Sequence, residues 1–276
     1  MYLKFIRKNI LSNDICTLAL FTNNFSKKVC LGLALLPLIA SFTIKAQTIE
    51  VLTEHLPPFQ QLNDDGSIGG YATEVIHRLF EITKDEANIK VVPWARAYDR
   101  ALNEKNILIY SISHTESRHE QFHWVGALRY EQFHFWGLNT NFSQPISDLQ
   151  QLKNISVAAT NEHNSEQYLT QKGFNNVYRV VNNDQPIQML FNHRVNMVLG
   201  NSLIIKRQAL DLGFQDSLLM PIASAPALDN SLDIALSKKS DPALVKRFKL
   251  AFKQLKDSGE LDKIKTKWQI NDDGLL

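Results

Sequence analysis

The chain is poor in cysteine. Of its 276 residues only Cys16 and Cys30 are cysteines, and both lie ahead of residue 47. The rest of the chain can form no disulfide, offers no thiolate nucleophile and holds no Cys-ligated metal. No second long hydrophobic run follows that point, so nothing later reads as a membrane span. Internal repeats, low-complexity tracts and blocks of like charge are also missing, which removes solenoid and disordered-tail readings. Neither G-x-S-x-G, a phosphate loop nor an HExxH pair occurs, so an acyl hydrolase, an NTPase or a zinc protease has no anchor. Strong net charge is lacking too. The whole chain carries +2, but six of its 30 Lys+Arg and one of its 28 Asp+Glu precede Gln47. That leaves 24 against 27, or −3, which gives no footprint for nucleic acid.

What the first 46 residues do have is a leader pattern. Lys27-Lys28 precede an apolar stretch from Val29 to Ala40, broken by Pro37, and Ser41-Phe42-Thr43-Ile44-Lys45-Ala46 follows. A basic flank, a short apolar core and a small closing residue describe a secretory signal, with cleavage expected after Ala46. The core is shorter than the roughly 20 residues a spanning helix needs, although an uncleaved anchor is the alternative. Lys27-Lys28-Val29 before Cys30 is no lipid-attachment pattern. The expectation is an exported, soluble chain in the periplasm, starting at Gln47. About 230 residues then remain, enough for one large core or two modest ones.

Beyond residue 47, strand and helix signals alternate. Ile49–Thr53 reads as a strand that stops at Leu56-Pro57-Pro58-Phe59. Val75, Ile76, Leu79, Phe80 and Ile82 mark one helical face, and Ile89–Val92 a second strand closed by Pro93. A helix through Tyr98, Ala101 and Leu102 leads to a buried strand at Ile107-Leu108-Ile109. Further strands are expected at Phe133–Leu138, Ser156–Ala159, Val177–Val181, Met197–Leu199 and Leu232–Leu236. Helices are expected at Glu166–Gln171, Asp184–Asn192 and Leu203–Leu210. The strongest helix signal comes late: Asp241 caps, Pro242 opens, Leu244, Val245, Phe248, Ala251, Phe252 and Leu255 share a face, and Gly259 ends it. A closing helix carries Leu261, Ile264 and Trp268. The class is α/β.

Tyr110–Arg118 holds the most informative residues. Two hydroxyls, Ser111 and Ser113, follow the Ile107 strand, and Arg118 comes five residues later. In open α/β sheets ligands bind beyond the carboxyl ends of strands. Serine hydroxyls donate or accept there, and a guanidinium fork matches a carboxylate. The pattern suits a small-anion clamp; the bland alternative is a serine-rich turn with a surface arginine.

These pieces, in this order, resemble the periplasmic solute-binding proteins of the type 3, polar amino acid class. The resemblance runs from about Ile49 to Ile270. It rests on Leu56-Pro57-Pro58-Phe59, Gly69-Gly70-Tyr71, Ser111-Ile112-Ser113 with Thr115-x-x-Arg118, Lys256-Asp257-Ser258-Gly259 and Lys267-Trp268. It implies a two-lobed periplasmic-binding-protein (type II) fold, each lobe a mostly parallel sheet flanked by helices, joined by two hinge strands and closing on ligand. Lobe 1 would be 47–136 plus 225–276 and lobe 2 137–224, with crossings near Trp136-Gly137 and Ala223–Asn230. It further implies a monomer without cofactor or metal, a small polar solute, and an inner-membrane ABC permease or a sensor as partner.

Carried over residue by residue, Arg118 matches the arginine that grips a ligand's α-carboxylate, and Ser111 and Ser113 match the positions that hold the α-amino group or the carboxylate. The second lobe departs from the family. Thr160-Asn161-Glu162-His163 stands where a Gly-Thr turn is usual, and Asn201 where an aspartate usually meets the ligand ammonium. An amide brings no charge, so either Glu54 or Glu162 substitutes or the ligand lacks the amine. Asn161 and Asn201 stay as candidates. Trp94 and Arg96, in Val92–Ala97, are candidates for an aromatic face and a second anion contact. The alternative packs Trp94 as core and pairs Arg96 with Asp99 or Glu104. Phe59 and Tyr71 are weaker aromatic candidates, and Phe59 reads first as a core residue. His114, His119 and His123 have metal-like spacing but straddle an expected loop, and Asp229 and Asp233 read as a solvated strand entry. A dehydratase-like lyase on the same scaffold, with Glu54 or Glu162 as acid or base, is the enzymatic alternative, and a stand-alone sensory domain another.

Overall fold

The computed structural model describes residues 48–271; the leader expectation lies outside them. β1 (Thr48–Thr53) is followed by a small hairpin, β2 (Gln61–Leu62) and β3 (Ile68–Gly69), around the Asn63–Gly66 turn. Then come α1 (Tyr71–Thr83), β4 (Glu86–Val91), α2 (Trp94–Asn103) and β5 (Ile107–Ser113). A 3-10 turn, Glu116–Gln121, leads into β6 (Phe122–Glu131). The next segment holds β7 (Phe133–Leu138), β8 (Val157–Thr160), α3 (Asn164–Gln171), β9 (Val177–Val180) and α4 (Asp184–Phe191). It continues with β10 (Met197–Asn201), α5 (Ser202–Asp211) and β11 (Leu219–Ser224). The chain closes with β12 (Asn230–Ser237), α6 (Pro242–Asp257) and α7 (Glu260–Lys267).

Two five-stranded sheets result. The first is ordered β4-β1-β5-β12-β6 and the second β11-β7-β10-β8-β9. Each is parallel at one side, where helices make the crossovers, and antiparallel where the chain arrives or returns. The chain changes sheet at Gln132, between β6 and β7, and again between Ser224 and Asn230. Trp136-Gly137, where a crossing was expected, lies inside β7 of the second sheet. The two crossings are tied together: Phe133 N donates to Asp229 Oδ1 at 2.9 Å, and Ala225 N to Phe133 O at 2.8 Å.

Each sheet has its own cores. In the first, Val75, Ile76, Leu79 and Phe80 of α1 meet the inner face of α6, with Phe80 and Phe248 edge to face at 5.1 Å. In the second, Phe135, Leu169, Phe174, Met197 and Ile222 pack together. Gly70 enters α1 at φ 107°, and a Cβ there would stand 2.5 Å from Phe59 O, so only glycine fits. β6 and β11 were not expected from the sequence. β6 pairs with β12 through two register shifts, which break the alternation that marks a strand.

Candidate functional site

The carboxyl ends of the strands in both sheets face one cavity of about 80 Å³. From the first lobe come Glu54 (after β1), Trp94 (opening α2), Ser111 and Ser113 (β5), Arg118 (the 3-10 turn) and Glu131 (the end of β6). From the second come Thr160 (β8), His163, Asn164 and Ser165 at the start of α3, Asn183 before α4, and Asn201 at the end of β10. Apolar side chains, among them Phe133, Val198, Leu199, Ile204 and Leu232, fill the rest of the wall.

Ser111 and Ser113 lie within β5, which runs past the strand end expected at Ile109. Ser111 has φ 58° and sits where the β5–β12 register slips between Tyr110 and Ile112. It is the extra residue of a bulge, the device that re-aims a side chain, and a left-handed serine marks a held conformation. Its Oγ donates to Gln60 Oε1 at 2.7 Å. Arg118 is 1% exposed and lies over the Tyr98 ring at 4.7 Å. Burial pulls its pKa below the ordinary arginine value, opposed chiefly by Tyr98.

Side chains of the two lobes touch across the cavity. Arg118 Nη2 donates to Glu162 O at 2.8 Å and to Gln167 Oε1 at 3.2 Å. Trp94 Nε1 donates to the same Glu162 carbonyl at 2.9 Å. Glu162 reaches this place because its own backbone is left-handed, φ 61°. Glu54 Oε2 lies 3.0 Å from His163 Nε2 and accepts from Asn183 Nδ2 at 2.7 Å. Glu131 Oε1 accepts from Asn201 Nδ2 at 2.8 Å. Three buried cavity atoms have no protein partner: Arg118 Nε, Asn164 Nδ2 and Asn183 Oδ1. A buried polar atom left so costs about 1–3 kcal/mol, a cost that a polar group entering the cavity would offset.

The structure therefore brings Glu54, Trp94, Ser111, Ser113, Arg118 and Asn201 to one cavity, and leaves four candidates outside its wall. Phe59 is fully buried core, edge to face with Tyr71, whose hydroxyl donates to Leu128 O at 2.8 Å. Arg96 is exposed; Arg100, one turn on, carries the ion pairs with Glu50 and Glu104. Asn161 is also exposed, and its neighbour Glu162 contributes a carbonyl rather than a carboxylate to the lobe contacts. His114 and His119 meet at 2.9 Å, but His123 Nε2 lies against Lys238 O, so the three do not converge. Among the described residues no group of three or more His, Cys, Asp or Glu is placed to hold a metal. Asp233 is not a solvated strand entry: it is 4% exposed and 3.1 Å from His114 Nδ1.

Sequence reasoning missed Glu131, His163, Asn164 and Asn183. Glu131 ends the strand whose bulges hide its period, and the others open helices, where polar residues read first as caps.

The model for bacterial extracellular solute-binding proteins, family 3, matches residues 49–271. The chain belongs to this family. No curated protein sequence matches it. Among solved structures, this family 3 chain is similar to a histidine kinase sensor domain with similarity to periplasmic binding proteins. They share 18% identity at a TM-score of 0.72, over 81% of this chain and 96% of that one. An ancestral arginine-binding protein bound to arginine is 19% identical with a TM-score of 0.69, over 80% and 97%. A periplasmic His/Glu/Gln/Arg/opine family-binding protein from Silicibacter pomeroyi, in complex with lysine, is 17% identical with a TM-score of 0.67, over 83% and 100%. At such identities the likeness gives the fold: two α/β lobes of the periplasmic-binding type.

Proposed function

We propose that this family 3 protein captures a small polar solute bearing a carboxylate, an amino acid or a related acid, between its two lobes. It works in the periplasm after loss of a leader near Ala46, and presents the solute to a membrane transporter or a receptor. The observation that carries this reading is Arg118: a buried guanidinium with an unpartnered Nε, beside two serines, in a cavity walled by both lobes. A charge-assisted contact of that kind contributes roughly 1.5–3 kcal/mol. Because Arg118 also reaches Glu162 of the second lobe, gripping a ligand and closing the lobes are one event. Delivery to a sensor rather than a transporter is the second reading, favoured by the likeness to a kinase sensor domain.

A thermal-shift screen against amino acids, dicarboxylates, polyamines and short peptides tests this. A ligand at 100 times its Kd adds about 2.7 kcal/mol of stability. A shift with a carboxylate-bearing solute that disappears in Arg118→Ala supports the reading; a shift that survives in Arg118→Ala, or one given by polyamines alone, sinks it.

A further inference from the structure

The hydrogen bonds that cross the cavity differ in how they respond to a proton. Arg118 and Trp94 donate to the Glu162 carbonyl, and Asn201 donates to Glu131. Groups of those types do not ordinarily change charge between pH 5 and 8. Glu54 of the first lobe meets His163 of the second, Oε2 to Nε2 at 3.0 Å, and an imidazole does change charge in that range. Both groups are held for the meeting. The Glu54 side chain is 5% exposed, and its Oε2 also accepts from Asn183 Nδ2 at 2.7 Å. The His163 ring stands edge to face with Trp94, centroids 5.4 Å apart. Its side chain is 20% exposed, open enough to exchange a proton with water.

Resting on the lobe closure of the reading above, we propose that Glu54 and His163 form a pH-sensitive latch. Protonation of His163 turns a hydrogen bond into an ion pair and draws the unliganded lobes together in acid. A neutral imidazole with its proton on Nε2 already donates to Glu54, and the second proton adds charge to the same contact. The groups around the ring pull in both directions. From the 3-10 turn, Arg118 shares the cavity wall with His163 and repels an imidazolium. His163 also occupies the N-cap of α3, where the helix dipole disfavours a cation. On that element the Glu162 carboxylate is turned to Gln167 Nε2 at 3.1 Å, and Glu166 is paired with Arg179 at 2.7 Å. Asp184, at the start of α4, lines the neighbouring pocket with Glu54 and Asn183. His55, next to Glu54, accepts from Leu62 N at 3.3 Å and so faces the hairpin, while α2 presents the uncharged Trp94. Glu54 is the charge in direct contact, and Coulomb attraction falls with distance, so Glu54 sets the sign. Parting the lobes takes this carboxylate away, so the closed form holds the proton more tightly than the open one. The contribution to closure is present in acid and is lost as pH rises through the imidazole range.

The experiment uses the purified protein without ligand, followed by small-angle scattering from about pH 8 to about pH 5.5, the imidazole range. The wild-type radius of gyration is expected to fall as the closed-to-open ratio rises roughly five-fold, the upper end for a partly exposed ion pair. His163→Gln keeps a neutral amide donor opposite Glu54, and its radius should not follow pH. Glu54→Gln leaves the imidazolium facing Arg118 without its carboxylate, so the acid response should reverse, a change of sign that lost packing does not produce. Thermal melts check that each variant is folded; if His163→Gln does not fold, the response of Glu54→Gln decides. The proposal is overturned by a wild-type radius that stays constant or grows toward acid, or by a fall that persists in either variant. Thermal shift with carboxylate-bearing amino acids and dicarboxylates, in wild type and Arg118→Ala, reads the ligand separately. Binding through Arg118 beside a radius indifferent to pH removes the latch alone. A radius that falls in acid, with no such solute bound, removes the ligand reading and leaves the latch.

Discussion

The two walls of the cavity are built from different chemistry. The first lobe supplies the full charges, Glu54, Arg118 and Glu131, with two serines between them. The second supplies Thr160, His163, Asn164, Ser165, Asn183 and Asn201, among alanine, valine, leucine and isoleucine. Charge sits on the lobe made from both ends of the described chain; amides, hydroxyls and one imidazole sit on the lobe inserted between. Each carboxylate of the first wall has a hydrogen-bonding side chain of the second opposite it, and the guanidinium has a carbonyl. On the proposed closure, water around fixed charges is exchanged for fixed dipoles, and the second lobe lines the cavity with no charge that needs a partner when the lobes part.

Removing the one cation from the charged wall should have the largest effect. Arg118→Ala deletes the proposed carboxylate fork and two lobe-to-lobe hydrogen bonds. Loss of about 2–5 kcal/mol of ligand affinity is expected, measured by calorimetry. An unchanged Kd would show that the charged wall is not where the ligand is held. Glu54→Gln comes next. It keeps the shape but takes the charge from a site served by His163 and Asn183, so about 1–3 kcal/mol of the closed state should go. Small-angle scattering of the liganded protein would then report a larger radius than wild type; an equal radius would show that this bridge does not hold the lobes together.

Asn201→Asp moves a charge onto the neutral wall. The new carboxylate would face Glu131 at hydrogen-bond distance, and two such acids cannot both stay ionised. The variant should lose about 1–2 kcal/mol of stability at neutral pH and recover much of it on acidification, as the pair takes up a shared proton. A flat pH dependence relative to wild type would mean that the two walls tolerate like charge.

The smallest effect belongs to Asp233, behind the charged wall. Burial pushes its carboxyl above the ordinary value of 3.8, with His114 and Ser231 opposing. A raised folded-state pKa means that the native protein binds this proton more tightly than the unfolded chain. The contribution of this group to stability is then fully present below about pH 4 and is lost as pH rises through the folded value. Asp233→Asn should therefore match wild type in acid and gain on it toward neutrality, measured as the Tm difference across that range. A constant difference at all pH values would contradict this.

The same two walls mark what the sequence made legible. Arg118, Ser111 and Ser113 could be found because a short apolar strand followed by hydroxyls and an arginine is a local pattern, and α6 because its cap, proline and apolar face agree. Glu131 was hidden by a strand whose pairing slips twice, so no period of two points to its end. Asn183 and His163 act through Glu54, more than a hundred positions away in the chain, and nothing local announces such a meeting. Phe59 fits the core reading the sequence favoured, whereas Tyr71, a candidate for the site, is core as well. They flank a strand end as ligand-facing aromatics do, but the Tyr71 N to Pro58 O hydrogen bond and the close approach of Gly70 to Phe59 O turn both into the core of the first lobe.

The indole of Trp94 donates across the lobe boundary to Glu162 O, while those of Trp124, Trp136 and Trp268 bond within their own lobes. On the proposed lobe motion, the protein carries an intrinsic optical gauge of its own opening. When the lobes part, one indole of four trades a carbonyl for water, and its emission should move to the red with no label attached.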